Sequence, residues 1–481
     1  MLSRLRRHTQ RLRTGVFSSV NEGTLYFELF IISLFFSYQP SLMFGMTSGI
    51  NLKLGLPILF GTLFVATSYK RILEKRIVVF KNIGLRVFLI FSAINSVSIL
   101  WSVNKPRALF ETGLLWLLFL ISVAVIAQFD VLNKNRARLI AILLVSALIV
   151  CLFAFWQVIA DALGIDPLFT LLSAPYRATL FGFARPTGFA LEPQFLANVL
   201  IVPIVVAMNK MLSPKSGILP PIVLALSFAT IILTISRGGL LAVAMSFILI
   251  IIFTHAPLRK YLALAGTMLL GAIIGLVMIS TAATLDTRDT ITAESAITGI
   301  VRHVSLGKID LEKLLVQQPV HPTVVPVSPA TPTPAPAPQP VSIPVYVSES
   351  TTSRLQMSEE ASKLWLSTPK HFFFGIGVGA FGSTVHTLNP NFAINSIVNN
   401  EYLQVASELG LIGLVVFLSL LLLPIAWGIY RRQWIVVVVL IALYSQWFFF
   451  SGNINVFHVW VCLALAYGLM QYRRLAHPIK K

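Results

Sequence analysis

The sequence predicts an all-α integral membrane protein, with about twelve transmembrane helices and a long extracytoplasmic loop that itself contains short helices. Three observations carry this. Of 481 residues, 56% are hydrophobic and 11% charged, outside the composition of ordinary soluble domains. Apolar runs of bilayer-crossing length, about 17–25 residues each, recur along nearly the whole chain. The basic residues between those runs cluster in alternate loops, the pattern left where Lys and Arg are retained in the cytoplasm.

Taken in order, the runs lie at 24–45, 48–68, 84–101, 108–127, 139–160, 193–212, 217–235, 239–254, 261–280, 403–429, 434–450 and 455–471. The first follows the basic MLSRLRRHTQRLR at full length with no small-residue cleavage site, so no signal peptide is expected. Placing the amino terminus in the cytoplasm puts YKRILEKR (69–76), NKNRAR (133–138), NKMLSPK (209–215), APLRK (256–260), YRRQ (430–433) and the tail QYRRLAHPIKK (471–481) on that same side. Both termini are therefore expected to be cytoplasmic. The formal charge of +19 is accounted for by short loops beside anionic head groups. Nucleic acid is not an expected partner, because no soluble basic domain is there to bind it. Cys151 and Cys462 fall inside apolar runs and are expected as free core thiols.

The chain divides into 1–280, nine transmembrane helices with an outer loop at 161–192; 281–400, the large extracytoplasmic loop; and 401–481, three further helices and the basic tail. Within the large loop, 284–316 has mixed charge and apolar spacing compatible with surface helices. The stretch 319–344 holds ten prolines and cannot pack a core, which makes it a spacer. SRLQMSEEASKLWLSTP (353–369) reads as a helix capped by Ser353 and stopped by Pro369. The glycine-punctuated HFFFGIGVGAFG (371–382) then threads the chain back toward the membrane. Secondary transporters often repeat their halves with broken helices at matching positions, and the long loop after the ninth run has no counterpart after the third.

Polar residues at the outer membrane face need a reason, since a desolvated arginine is costly. In LTISRGGLLAV (233–243), Arg237 stands beside two glycines at the outer end of the seventh run. A guanidinium at head-group depth suits a diphosphate on a lipid carrier; the plainer reading is a turn whose arginine snorkels to phospholipid. In ARPTGFALEPQF (184–195), Arg185 could hold phosphate or carboxylate and Glu192 could act as a base toward a sugar hydroxyl, or the two form a solvated loop pair. Arg354 begins the loop helix, and His371 and His386 lie downstream, where a lone histidine is more often a surface residue. Asn399, Asn400 and Glu401 stand directly before a long apolar helix. They either cap it or offer amide and carboxylate partners to a substrate. No metal-ligand spacing, Walker loop, Rossmann fingerprint or nucleophile elbow occurs, so metal-free, cofactor-free chemistry is expected.

These pieces, in this order, resemble the O-antigen ligase and O-antigen polymerase family, multi-spanning glycosyltransferases of the bacterial cytoplasmic membrane. The resemblance is carried by RPTGFALEP before the sixth run, TISRGG after the seventh, the long loop, and that loop's tail: Arg354, Trp365, Pro369, GIGVGAFG (375–382), NNEYLQ (399–404) and ELGLIGL (408–414). It implies transfer of a glycan from a polyprenyl-diphosphate carrier to a glycan or lipid-glycan acceptor at the outer face, with a chain-length regulator as a further partner. It also implies that Arg237 and Arg354 contact the diphosphate and stabilise it as it departs. Ligases of the family have His-Asn where this chain has Asn399-Asn400, and that histidine acts on the acceptor hydroxyl. The departure leaves Glu192, Glu401, His371, His386 or the departing diphosphate itself to take the proton, and it favours polymerase over ligase. The rival class is a lipid-linked glycan flippase or secondary transporter. That class predicts charge deep within the spans, whereas the exceptions here, Glu28 and Arg86, stand near cytoplasmic ends where snorkelling suffices.

Overall fold

The computed structural model of the chain describes residues 22–38, 41–45, 51–177, 182–214, 216–286, 297–301, 305, 343–452 and 456–476. The basic segment 1–13, most of 284–316 and the proline-rich spacer up to 342 lie outside the described residues.

The architecture is helical. The first half comprises α1 (Glu22–Ser33), a hairpin of β1 (Ser41–Gly45) and β2 (Asn51–Gly55), α2 (Leu56–Glu74), α3 (Arg76–Phe80), α4 (Ile83–Ser98), α5 (Lys105–Lys134), α6 (Arg136–Ala162) and α7 (Pro167–Thr170). There follow α8 (Pro193–Leu212), α9 (Leu219–Thr234), α10 (Arg237–Phe253) and α11 (Leu258–Leu285). The last part holds α12 (Ile343–Leu366), α13 (Pro369–Phe374), α14 (Phe381–Leu388), α15 (Glu401–Tyr430), α16 (Trp434–Gln446) and α17 (Phe457–Ala476). Each of the twelve apolar runs thus holds a helix. Among the described residues seven helical stretches are long and apolar enough to cross a membrane: α2, α4 with the turn that extends it to Trp101, α5, α6, α8, α11 and α15. Helices α9, α10 and α16 are apolar but shorter.

Packing joins distant parts of the chain. Helix α9 lies against α8 and α11, α10 against α16, α5 against α2 and α17, and α4 against α15. Aromatic side chains fill the joints: Phe88 stacks on Trp460 with ring centroids 4.8 Å apart, and Phe91 meets Phe417 at 5.3 Å. A separate small core of Met357, Ala361, Leu364, Phe381, Val385 and Val398 holds α12 to α14.

Several boundaries differ from the expectation. The run 24–45 is not one helix: α1 ends at Ser33, and Ser41–Gly45 pairs antiparallel with Asn51–Gly55, Ser41 opposite Gly55. Pro40 lacks the amide a continuing helix would need, and α2 starts only at Leu56 with Pro57 in its first turn. Helix α12 begins at Ile343, so Ser353 is an interior residue and not its cap, and the last two residues of the spacer are helical. It ends at Leu366, ahead of Pro369, which instead opens α13 behind the capping Thr368. Glu28 does not snorkel: it is buried and paired with Arg138 at 2.7 Å. Arg86 does stay exposed, donating to the Phe80 carbonyl. Cys151 and Cys462 are free thiols.

The feature that positions the site is a break in α15. Gly410 sits at φ 68, ψ −170 inside this helix, so helical hydrogen bonding is interrupted there. The freed carbonyls of Ser407 and Glu408 accept from the amides of Ile376 and Gly377, at 3.0 and 2.9 Å. The glycine-rich loop therefore completes the helix, as buried backbone polar groups require. Gly375, Gly377 and Gly379 all have positive φ. A side chain on Gly375 would fall onto the Glu408 carbonyl, and one on Gly377 would lie 2.6 Å from the Ser102 Cα.

Candidate active site

Two adjoining polar cavities meet at the start of α8. The narrower cleft is lined by Arg185, Gln194, Ser236, Arg237, Arg354 and Gln446, with Phe449 and Phe450. The larger cavity, about 240 Å³, is lined by Glu192, Glu401, Glu408, Glu111 and Arg107, with Asn95, Gln404, Ser451 and Gly452 among its other walls. Glu192 belongs to one and Gln194 to the other. They are two residues apart, and the Gln194 Nε2 donates to Glu192 Oε2 at 2.5 Å.

The cleft is built from three distant segments. Ile235 adopts φ 52 at the end of α9, turning the chain so that α10 starts with Arg237. Ser236 caps α10, its Oγ accepting from the Gly239 amide at 3.2 Å. The amino end of a 17-residue helix therefore faces the cleft beside the arginines, and its amides and dipole favour an anion there. The two glycines after Arg237 serve packing more than ligand approach. A Cβ on Gly238 would lie 3.2 Å from that of Phe449, and one on Gly239 would lie 2.8 Å from that of Ala197. Arg185 donates through Nε and Nη2 to the Thr234 carbonyl at 3.2 and 3.0 Å, tying the α9–α10 turn to the loop before α8. From α12, the Arg354 Nη1 reaches the Phe449 carbonyl at 3.4 Å. Three guanidiniums converge, and with the helix terminus they make the cleft strongly electropositive.

The larger cavity has the opposite character. Glu401, 2% exposed, opens α15 and accepts from the Gly452 amide at 2.7 Å. Glu408 accepts from the amides of Gly379 and Phe381 at 3.0 and 3.2 Å and from Gln404 Nε2 at 2.6 Å. Arg107 Nε bonds Glu111 Oε1 at 2.7 Å. Glu192 lies outside the helices, and burial raises its pKa, against the opposing pull of the Gln194 hydrogen bond and of the Arg354 and Arg185 charges. Carboxylates, amides and one arginine on an otherwise apolar wall form a surface suited to the hydroxyls of a neutral, polyhydroxylated ligand.

Of the expected site residues, Arg185, Arg237, Arg354, Glu192 and Glu401 are brought together. His371 and His386 are not: neither lines either cavity. His371 Nδ1 pairs with Ser367 Oγ at 2.8 Å, and His386 Nδ1 with the Phe392 carbonyl at 2.6 Å. Asn399 and Asn400 stand at the rim, between Ile397 and Glu401, which do line the cavity. Asn400 caps α15, its Oδ1 accepting from the Leu403 amide at 3.1 Å. Asn399 takes φ 58, a left-handed conformation that asparagine tolerates better than most residues. Sequence reasoning missed Arg107, Glu111, Glu408 and Gln446. Arg107 and Glu111, four apart at the head of an apolar run, were a legible helical ion pair. Among the described residues no cluster of three or more His, Cys, Asp or Glu side chains is placed to hold a metal ion.

The comparison with known families bears on this geometry directly, because residues 222–418 match the family model described as O-antigen ligase. Over these residues the chain is similar to the O-antigen ligase family. No curated protein matches the chain significantly. The O-antigen ligase match takes in Arg237, Arg354 and Glu401. Arg185, Glu192 and Gln446 complete the same cavities from outside the matched segment. The match supports an activity of the O-antigen ligase and polymerase type, in general that of a glycosyltransferase-like enzyme acting on a lipid-linked glycan in a membrane setting.

Proposed function

We propose that the protein transfers a glycan from a polyprenyl-diphosphate carrier to a sugar hydroxyl at the outer face of the bacterial cytoplasmic membrane, acting as a polymerase in preference to a ligase. The observation that carries this reading is the convergence of Arg185, Arg237 and Arg354 on a cleft adjoining a carboxylate-lined cavity. The diphosphate lies in the cleft and the sugars in the larger cavity. The acceptor oxygen attacks the anomeric carbon, the bond from that carbon to the phosphate oxygen breaks, and the diphosphate departs with the electron pair. Guanidiniums and the α10 terminus stabilise the charge that builds on it. Glu192, at the junction, takes the proton from the acceptor hydroxyl; Glu401 is already engaged by the Gly452 amide and orients sugar hydroxyls. No metal ion takes part. In this reading the chain crosses the membrane twelve times with both termini cytoplasmic, so that the loop 281–400 is extracytoplasmic and accessible to a chain-length regulator. Polymerase is favoured because Asn399 stands where family ligases have histidine. Support for an enzyme over a flippase or transporter comes from the segregation of positive and negative walls, which suits a bond between phosphate and sugar.

The test is the size profile of surface and lipid-carrier glycans in cells lacking the protein. Glycans stalled at one repeat unit are expected for a polymerase. Long polymer stranded on the carrier would instead mean a ligase, and an unchanged profile would remove both.

The raised pKa of Glu192 gives a second expectation. In the window between an ordinary carboxylate pKa and its raised value, the folded protein binds more protons at this site than the unfolded chain, so stability falls as pH rises through it. At neutral pH the buried charge is a cost, and Glu192→Gln removes it. This variant is expected to melt no lower than wild type at neutral pH while losing roughly 10²–10⁴-fold in transfer rate. Thermal unfolding in detergent beside a transfer assay reads both; a lower melting temperature with near-normal transfer would sink the assignment of Glu192 as base.

A further inference from the structure

One polar side chain on the cleft is not used by the mechanism. Gln446, the last residue of α16, is 1% exposed, and its Nε2 is buried with no hydrogen-bond partner in the protein. The other end of the same amide is held firmly. Gln446 Oε1 accepts from Asn198 Nδ2 of α8 at 2.6 Å, and Asn198 Oδ1 faces His458 Nε2 of α17 at 2.5 Å. Because Asn198 Oδ1 can only accept, His458 Nε2 is the donor of that bond, and the chain of donors runs from His458 through Asn198 to Gln446, a residue of the cleft wall. All three residues are buried among apolar helices, where an amide loses no orientation to competing water.

We propose that Gln446 is a ligand-binding donor of the cleft, its Nε2 contributing a neutral hydrogen bond to a diphosphate oxygen, and that Asn198 and His458 are positioning residues that fix which face of the amide the ligand meets. This rests on the diphosphate reading of the cleft given above. A fourth cation beside Arg185, Arg237 and Arg354 would be repelled by them, whereas an amide adds a directed donor without charge. The fixed direction matters: with the amide reversed, an oxygen would confront the anion.

The test titrates geranylgeranyl diphosphate into the purified full-length protein in detergent, by calorimetry, with unfolding temperatures measured in parallel. Gln446→Glu keeps the oxygen that Asn198 holds and replaces the donor with a carboxylate. It is expected to weaken binding by about 10- to 100-fold at a temperature where the parallel unfolding measurement shows the variant folded. A second pair acts without touching residue 446. His458→Gln supplies a donor to Asn198 and is expected to bind within about threefold of wild type, whereas His458→Leu frees Asn198 to reverse and is expected to weaken binding about tenfold. If Gln446→Glu binds as wild type does while Arg237→Ala loses binding, the inference is overturned and the diphosphate site stands. If Arg237→Ala also binds as wild type, or the wild type does not bind, the diphosphate reading falls and takes this inference with it. Equal binding by His458→Gln and His458→Leu would overturn the positioning role.

Discussion

Arg237→Ala is expected to lower glycan transfer by roughly 10²–10³-fold, the usual cost of losing a preorganised group that stabilises developing negative charge. The reasoning is local. Arg237 is the first residue of α10, behind the Ser236 cap, so its position is set by a helix terminus and not by a loop. Its removal spares the cap, which uses the Ser236 hydroxyl and the Gly239 amide, and folded protein is expected at wild-type levels. Arg237→Lys keeps the charge but loses the planar fork and is expected to fall between the two, about tenfold down. Arg185→Ala provides the contrast: it also removes two bonds to the Thr234 carbonyl, so it should lose stability as well as activity. Transfer in isolated membranes, normalised to folded protein, reads these effects. Wild-type transfer by Arg237→Ala would remove the anion cleft from the mechanism.

The largest effect on stability is expected from Gly410→Ala. The residue's φ of 68 with ψ of −170 lies in a region that side-chain-bearing residues enter only with strain of about 1–3 kcal/mol. A Cβ would also fall onto the carbonyl of Phe373, adding an overpacking cost of about 1–3 kcal/mol. Helix propensity alone would predict the opposite, since alanine is favoured over glycine in a helix by up to about 1 kcal/mol. The sign of the change in unfolding temperature therefore separates a broken helix from a continuous one. A stabilised Gly410→Ala protein would show that the helix is regular and that the glycine-rich loop is not threaded through it.

How much of this was legible in the sequence depended on the kind of signal. Helices written as long apolar runs were readable because burial in lipid needs only length and composition. The break before Ser41 was not, although Pro40 was the available sign. The start of α12 was placed at Ser353 by capping logic, while the helix begins at Ile343, because a good cap residue inside a longer helical segment looks the same as one at its end. At the site, Arg185, Arg237, Arg354, Glu192 and Glu401 were each readable as polar residues bordering apolar runs. Their convergence was not, since it depends on which helices pack together. Glu408 lay within ELGLIGL, a carboxylate inside an apolar stretch, and its burial against the amides of Gly379 and Phe381 is the kind of partner such a position demands. His371 and His386 were chosen by chemical type alone, and neither lines either of the two cavities.

The break at Gly410 also governs how this protein can be recombined with others. A helix whose missing donors come from residues 376 and 377 is one structural element written in two separate pieces of chain. Grafting a foreign segment in place of residues 343–400 would leave two carbonyls bare unless its backbone followed the same path. The natural unit of exchange for chimeras therefore runs from before Ile343 through Tyr430, with its upstream seam in the proline-rich stretch, and a seam between residues 382 and 400 would cut the element in half.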